Sequence, residues 1–257
     1  MKKATSKAVH KVVFMRHGQS EWNLTNRFTG WHDVGLTPTG VEEAKQAGLI
    51  LKEKGFEFDV AFSSVLTRAI GTYNVVAGEL GCSWIPLHKS WRLNERHYGA
   101  LTGLNKAETA VKHGEDQVLI WRRSYDIPPP SLELEDKRHP RFDKRYSMLP
   151  VDCLPGTESL KITVDRVLPY WYDTICPQVM DNKKVIVVAH GNSLRAIVKQ
   201  LSGMNEKEII AYNIPTACPL VFEFDANMKP LKNYYLIDEA ELKAKQEAVA
   251  NQAKAKL

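Results

Sequence analysis

The chain has 257 residues, enough for one large domain or two small ones. Hydrophobic residues make up 44% and charged residues 25%, which excludes a disordered chain, a collagen-like repeat and a small disulfide scaffold. The net charge of +5 comes from the ends, because residues 12–238 hold 27 of the 35 basic and 27 of the 30 acidic residues. This balance argues against a nucleic-acid-binding surface.

Four scattered cysteines form no C-x-x-C pair, so neither a zinc site nor a disulfide framework is predicted. The simplest interpretation is that these cysteines are reduced thiols, which favours a cytoplasmic location. The start of the chain lacks the apolar region of a signal peptide, and no apolar run approaches 18 residues, so we expect no membrane association. The histidines are too dispersed to predict a metal site.

Residues 11–15 and 183–189 are two short runs of β-branched and apolar residues. The first is followed by Arg16-His17-Gly18 and the second by His190-Gly191. Such uniformly apolar runs are typical of strands buried on both faces of a parallel sheet. Residues 58–62 form a third candidate. Further strands are predicted near residues 85–87, 220–225 and 231–237.

Helical patterns separate these strands. Thr37-Pro38 is typical of a helix start, and Gly55 of its end. Further helices are predicted over 65–80, 157–175 and 192–201, with Pro169 expected to kink or divide the second of these. The alternation predicts a three-layer α/β/α fold with a mostly parallel central sheet and helices on both faces.

Residues 95–155 interrupt this alternation. They contain Pro128-Pro129-Pro130, many charges and only short helical stretches such as 106–113. We expect an insertion at one edge of the sheet, within a single domain spanning 1–257. Residues 239–257 have helical propensity but few large apolar side chains, so a mobile tail is predicted.

The residues that can do chemistry follow the strands. His17 and His190 come directly after two of them, Arg16 precedes the first histidine, and Arg68 follows a third strand. Ligands bind at the carboxyl ends of strands in such sheets. Arginine suits phosphate oxygens, and a neutral imidazole can accept a phosphoryl group. Glu95 is the best carboxylate available to handle the accompanying proton.

Arg16-His17-Gly18, taken with His190 and Arg68, resembles the histidine phosphatase superfamily. Longer segments narrow the resemblance to the cofactor-dependent phosphoglycerate mutases, and it extends over residues 12–256, leaving the first ten residues unmatched. The segments are 16–23 (RHGQSEWN), 26–31 (NRFTGW), 93–99 (LNERHYG), 103–106 (GLNK), 121–123 (WRR), 189–195 (AHGNSLR) and 213–216 (NIPT).

The resemblance implies that His17 is the phosphorylated nucleophile, that Glu95 donates and accepts the proton, and that His190, Arg16 and Arg68 hold the phosphoryl group. It further implies interconversion of 3-phosphoglycerate and 2-phosphoglycerate, priming by 2,3-bisphosphoglycerate, no metal, and a homodimer or homotetramer. The substrate-binding residues it implies are Ser20, Asn23, Thr29, Gly30, Tyr98, Lys106, Arg122, Arg123, Gly191 and Asn192.

Three alternatives remain open from sequence: a phosphatase on the same scaffold, a bisphosphoglycerate mutase, and a non-catalytic phospholigand-binding protein. The first transfers the phosphoryl group from His17 to water. The last is disfavoured because nucleophile and proton handler are both present. Two departures from the family pattern are Gln19, where glutamate is common, and Ala217, where glycine is usual. A lysine-bearing tail is also suited to close over an anionic cleft.

Overall fold

A computed structural model describes residues 9–251 of the chain, without the side chain of residue 251. Its core is a six-stranded sheet in the order β3-β2-β4-β1-β5-β6. The first four strands in that order run parallel, while β5 is antiparallel to β1 and β6 to β5. The strands are β1 (His10–Arg16), β2 (Val60–Ser63), β3 (Leu87–Lys89), β4 (Val185–Ala189), β5 (Leu220–Phe224) and β6 (Pro230–Tyr235).

Alternate residues of the strands point into two separate apolar clusters, one on each face of the sheet. Val12 and Phe14 of β1 point into one, and Val13 and Met15 into the other. Such alternation follows from the twofold period of a strand. Helices α6 (Leu160–Tyr170), α7 (Cys176–Met180) and α8 (Gly191–Ser202) supply residues to the first cluster, and α2 (Pro38–Glu53) and α3 (Thr67–Leu80) to the second. The predicted three-layer α/β/α fold is confirmed.

Pro169 lies inside α6, one residue before the helix ends. A wider, π-helical turn over Trp171–Ile175 follows and leads into α7. Proline has no N–H to continue the regular ladder, so the change of winding beside it has a local cause. The predicted long helix is therefore divided, and it begins at Leu160 behind the Ser159 cap.

The segment between β3 and α6 has little regular structure. It carries α4 (Lys106–His113), α5 (Glu115–Arg123) and several single turns. A small apolar cluster of Phe28, Leu101, Ala110 and Val118 lies beneath α4 and α5. Short helices α1 (Glu21–Leu24) and α9 (Glu206–Ala211) lie elsewhere in the chain.

The end of the chain forms α10 (Glu239–Asn251), with Asp238 capping its first turn. The predicted tail 239–257 is thus helical over most of its length, and residues 252–257 lie outside the described part, as do residues 1–8. None of the described helices is long and apolar enough to cross a membrane.

The register of the sheet positions the predicted site. Arg16 at the end of β1 pairs with Ala189 at the end of β4, so the residues that follow them emerge side by side. The His17 N–H continues the ladder by donating to the Ala189 carbonyl at 3.0 Å. Neighbouring parallel strands that end at the same level therefore bring His17 and His190 together.

Candidate active site

The two histidines contact each other at the carboxyl end of the sheet. Their ring centroids are 5.0 Å apart, and both residues are almost fully buried. His17 Nδ1 lies 2.7 Å from the Gly18 carbonyl oxygen, which only accepts hydrogen bonds. Nδ1 therefore carries the proton, and in a neutral ring the lone pair of Nε2 is free to act as a nucleophile.

Burial lowers the pKa of both imidazoles well below its ordinary value, and the positive charges of Arg68 and Arg16 lower it further. His17 also contributes to the lowered pKa of His190. Both histidines are accordingly neutral at physiological pH in the free protein, which is the form a nucleophilic His17 requires.

His190 is held from one side by a serine. Ser64, just beyond β2, has its Oγ 2.7 Å from His190 Nε2. Nδ1 of the same ring has no hydrogen-bond partner among the described residues. Ser64 therefore fixes one nitrogen of the ring, and the other nitrogen is buried. His190 also caps α8, whose N-terminus favours anions at this place.

Two arginines lie beside the histidines, and only some of their guanidinium N–H groups make hydrogen bonds within the protein. Arg68 donates to the carbonyls of His32 and Gly30 at 3.0 and 2.8 Å, and Arg16 donates to that of Ile214 at 2.9 Å. Burial lowers the pKa of Arg68 to about 10, so it remains charged at neutral pH. Within the described structure, Nε of each arginine has no hydrogen-bond partner. These buried donors can bind the oxygens of an anionic ligand.

Glu95 faces the histidines from the inserted segment. Its Oε1 accepts hydrogen bonds from the main-chain N–H groups of Arg96 and Asn192, at 2.8 and 3.0 Å. Gly191 lies between this carboxylate and Arg16: a Cβ there would be 3.7 Å from Glu95 Oε2 and 3.6 Å from Arg16 Cζ. The carboxylate is thereby placed beside the groups that would surround a phosphoryl group.

A second cationic group comes from α4 and α5. Burial lowers the pKa of Lys106 to about 7, with Arg122 and Arg16 adding to the shift. Arg123 is oriented by a 2.9 Å hydrogen bond to Asn213 Oδ1. These side chains belong to the inserted segment and line the same cavity as Arg16 and Arg68, so the cavity has a second set of groups that can bind an anion.

One cavity contains these groups, and seven basic side chains face it against one carboxylate. Such an excess of positive charge suits a small ligand with several negative charges. The lining residues are Arg16, His17, Asn23, Arg27, Thr29, Gly30, Arg68, Glu95, Tyr98, Lys106, Arg122, Arg123, Gly191, Asn192, Arg195, Asn213, Ile214 and Val249.

Comparison with known proteins agrees with this chemistry. Residues 12–236 match the profile of the histidine phosphatase superfamily, branch 1. The chain belongs to the histidine phosphatase superfamily. It is 57% identical over 248 residues to 2,3-bisphosphoglycerate-dependent phosphoglycerate mutases from two strains of Borreliella burgdorferi, ZS7 and B31. These alignments cover 96% of this chain and all of each relative, so the chain belongs to their family within the superfamily.

Solved structures of the same superfamily fold are more distant in sequence. A mycobacterial hydrolase superposes with a TM-score of 0.68 at 20% identity, covering 89% of this chain and 99% of its own. A mycobacterial glucosyl-3-phosphoglycerate phosphatase complexed with VO3 superposes with a TM-score of 0.64 at 22% identity, covering 83% and 92%. At this identity the two structures support the fold alone.

Most of the residues that the sequence singled out line this cavity. Two do not. His190 lies behind the lining, against His17, and Ser20 is buried as the cap of α1. Ser20 exchanges hydrogen bonds with Asn23, so its contact is with the turn that presents Asn23 to the cavity. No metal-binding cluster of three or more His, Cys, Asp or Glu occurs among residues 9–251.

Several lining residues received no role from the sequence. Arg27, Arg195 and Asn213 lie inside segments that carried the family resemblance, so the signal was present but unused. Arg195 donates to Asn192 Oδ1 at 2.9 Å and fixes that amide. Val249 of α10 also lines the cavity, in the tail that was expected to close over an anionic cleft, although the sequence singled out no residue there.

The structure gives physical reasons for two notable positions nearby. A Cβ on Gly18 would lie 2.2 Å from the Gly40 carbonyl oxygen, so this glycine allows the turn to pack on the start of α2. Its role is therefore this close backbone approach. Ala217 has φ of 46°, the left-handed conformation that favours glycine.

Proposed function

We propose that the chain is a 2,3-bisphosphoglycerate-dependent phosphoglycerate mutase that interconverts 3-phosphoglycerate and 2-phosphoglycerate. The observation that carries this proposal is the combination of a nucleophilic His17 with two separate cationic groups around one cavity. A phosphatase needs only the group beside His17. The second group, Lys106, Arg122 and Arg123, suits a substrate that has another anionic end and must be kept for a second transfer.

In the proposed reaction, Nε2 of His17 attacks phosphorus and the bond from phosphorus to the substrate oxygen breaks. Glu95 gives that oxygen a proton, and takes one from the other hydroxyl when the phosphoryl group is returned. Arg16, Arg68 and His190 stabilise the negative charge on the transferring oxygens. The scaffold already supplies the required tautomer of His17 through the Gly18 carbonyl.

The same cavity fits the proposed primer. Seven basic side chains and the unpartnered Nε atoms of Arg16 and Arg68 can offset two phosphates and a carboxylate. 2,3-Bisphosphoglycerate, when bound, supplies the phosphoryl group that charges His17. No step of the proposed reaction calls for a metal ion. The remaining substrate-binding roles proposed for Tyr98, Thr29, Gly30 and Asn23 follow from their places on the cavity wall.

We further propose a cytoplasmic homodimer or homotetramer whose partners are its small phosphorylated substrates, without nucleic acid or membrane. Four free cysteines without a disulfide among them agree with a reducing compartment. Size-exclusion chromatography with light scattering distinguishes the two oligomers directly.

The proposed activity is tested by a coupled assay with 3-phosphoglycerate in EDTA, with and without catalytic 2,3-bisphosphoglycerate. We expect 2-phosphoglycerate to form, bisphosphate to stimulate the rate, and EDTA to have no effect. Release of inorganic phosphate without 2-phosphoglycerate would instead indicate a phosphatase. Accumulation of 2,3-bisphosphoglycerate as the main product would indicate a bisphosphoglycerate mutase.

A further inference from the structure

A buried ion pair lies outside the cavity, beneath the loop that carries Glu95. Arg166 of α6 donates from Nε to Glu158 Oε1 at 2.6 Å and from Nη2 to Glu158 Oε2 at 2.8 Å. The two side chains are only 5% and 1% exposed. Neither residue lines the cavity, and no step of the proposed reaction uses them. Two charges removed from water in this way need a full set of hydrogen bonds.

Arg166 makes these hydrogen bonds with main-chain carbonyls of the loop that carries Glu95. Its Nη1 donates to the carbonyls of Arg92 and Asn94, at 2.7 and 3.2 Å, and also to that of Trp91 at 3.2 Å. Its Nη2 donates to the carbonyl of Glu95 itself at 3.2 Å. Four carbonyls on the approach to Glu95 therefore converge on one guanidinium.

Glu158 fastens the other side of the same loop. Its Oε2 accepts a hydrogen bond from the His97 N–H at 2.8 Å, and its own N–H donates to the His97 carbonyl at 2.8 Å. The loop is thus tied to Arg166 of α6 up to Glu95 itself, and to Glu158, just before α6, two residues after Glu95. The ion pair joins the two ties, because the carboxylate that holds His97 also orients Arg166.

The carboxylate of Glu95 depends on the course of this backbone. Its Oε1 is held by the N–H of Arg96, on the loop, and by the N–H of Asn192, on α8. A shift of the loop relative to α8 changes the distance between these two donors, and the carboxylate cannot follow both. Proton transfer is sensitive to displacements well below 1 Å, so the placement of the loop matters for rate.

We infer that Arg166, oriented by Glu158, is a positioning residue that sets the place of Glu95 for proton transfer. The inference rests on the proposed function, because it takes Glu95 as the proton donor and acceptor. A guanidinium is needed here: its planar fork reaches the carboxylate and the carbonyls at once, whereas the ammonium of a lysine has three donors on a single atom. Arg166→Lys keeps the charge and removes the fork.

The test is the rate at which 32P-labelled 2,3-bisphosphoglycerate phosphorylates His17 in a single turnover. It is measured for the wild type, Arg166→Lys, Glu95→Gln and the double variant. We expect Arg166→Lys to slow labelling by about 10- to 100-fold with Glu95 present, and by less than about twofold with Glu95→Gln. An equal loss in both backgrounds would overturn the inference, since a merely structural defect does not depend on Glu95.

Two further variants serve as a control and as a replacement for Arg166→Lys. Arg138→Lys is a matched control, because Arg138 also joins a carboxylate, Asp136, to two loop carbonyls in the inserted segment, on Ala100 and Thr102. It should leave labelling within about twofold of the wild type. If Arg166→Lys does not fold, Glu158→Gln is taken through the same cycle, with the same result expected and the same result contradicting the inference.

Failure of the proposed function has a different signature. If the wild type acquires no label from 2,3-bisphosphoglycerate, the mutase proposal fails before the variants are compared. If the wild type is labelled and the cycle is additive, the mutase proposal stands and the positioning role of Arg166 is rejected.

Discussion

The two halves of the candidate active site are built in different ways. Arg16, His17 and His190 belong to β1 and β4 or to the first residue beyond them, so the main-chain ladder of the central sheet fixes their backbone. Glu95 and Lys106 belong to a segment with few regular elements between β3 and α6. There the backbone is fastened by side chains, such as Arg166 beneath Glu95 and Asn105 at the start of α4.

This difference indicates how the work is divided. In the proposed reaction the sheet half holds the nucleophile and the groups that bind the phosphoryl group, and a sheet interior tolerates little displacement. The inserted half holds the proposed proton handler, Glu95, and the second cationic group. Changes in the sheet half or at Glu95 should therefore slow the chemical step, whereas changes in the second cationic group should alter substrate affinity.

The largest expected effect is that of His17→Ala in the sheet half. Removal of the nucleophile should lower mutase turnover by roughly 10⁴-fold or more and abolish covalent labelling by 32P-bisphosphoglycerate. The label is measured after rapid denaturation at alkaline pH, where phosphohistidine survives. An acid-labile label on the variant would place the nucleophile at another residue.

Lys106→Met tests the inserted half and is expected to act on affinity. Loss of a charged hydrogen bond, about 1.5–3 kcal/mol, should raise KM for 3-phosphoglycerate by roughly 10- to 100-fold with a smaller change in kcat. Measuring both constants at pH 7 separates the two effects. A fall in kcat with unchanged KM would place Lys106 in the chemical step and blur the comparison.

The same variant carries a pH prediction. The pKa of Lys106 is lowered to about 7 in the free protein, so the side chain loses its proton as pH rises through that value. An anionic substrate binds the protonated form, and its phosphate is already ionised above pH 7. KM of the wild type should therefore rise between pH 7 and 9, and Lys106→Met should flatten this rise. Lys112→Met, at an exposed position of the same helix, should retain it.

Deletion of residues 239–257 should have a smaller effect. Val249 of α10 lines the cavity, and Gln246 Nε2 donates to the Asn213 carbonyl at 3.3 Å. We expect mutase turnover to fall by about 3- to 10-fold, and phosphatase turnover by less, because we predict that the segment shields the site from water. Equal loss of both activities would argue against a shielding role. Deletion of 252–257 alone separates the last residues from α10.

The smallest effect is expected from Ala217→Gly beside β1. Ala217 donates from its N–H to the Arg16 carbonyl at 2.9 Å while holding a left-handed conformation. Relief of this strain, set against the greater chain entropy of glycine, should stabilise the protein by about 0.5 kcal/mol. Urea unfolding measures the change. Ala226→Gly, at an exposed turn with ordinary φ, should destabilise slightly, and equal shifts in both variants would contradict the explanation.

The sequence by itself determined most of the strands and the pairing of two strand-end histidines. The reason is local: apolar runs flanked by turn residues define strands, and parallel strands bring the residues after them to one edge. Even the divided helix around Pro169 followed from a single missing N–H. The family resemblance then supplied roles for residues in the inserted segment, where periodicity alone gave no site.

Only the tertiary structure decided how that segment is held and what else reaches the cavity. The ion pair of Glu158 and Arg166 joins parts of the chain more than 60 residues apart in sequence, through hydrogen bonds between side chains and the main chain. Ser64 on His190 and Val249 on the cavity wall depend in the same way on packing between distant elements. Such contacts leave no periodic trace in the sequence, because they depend on where folded elements meet and not on local chain preference.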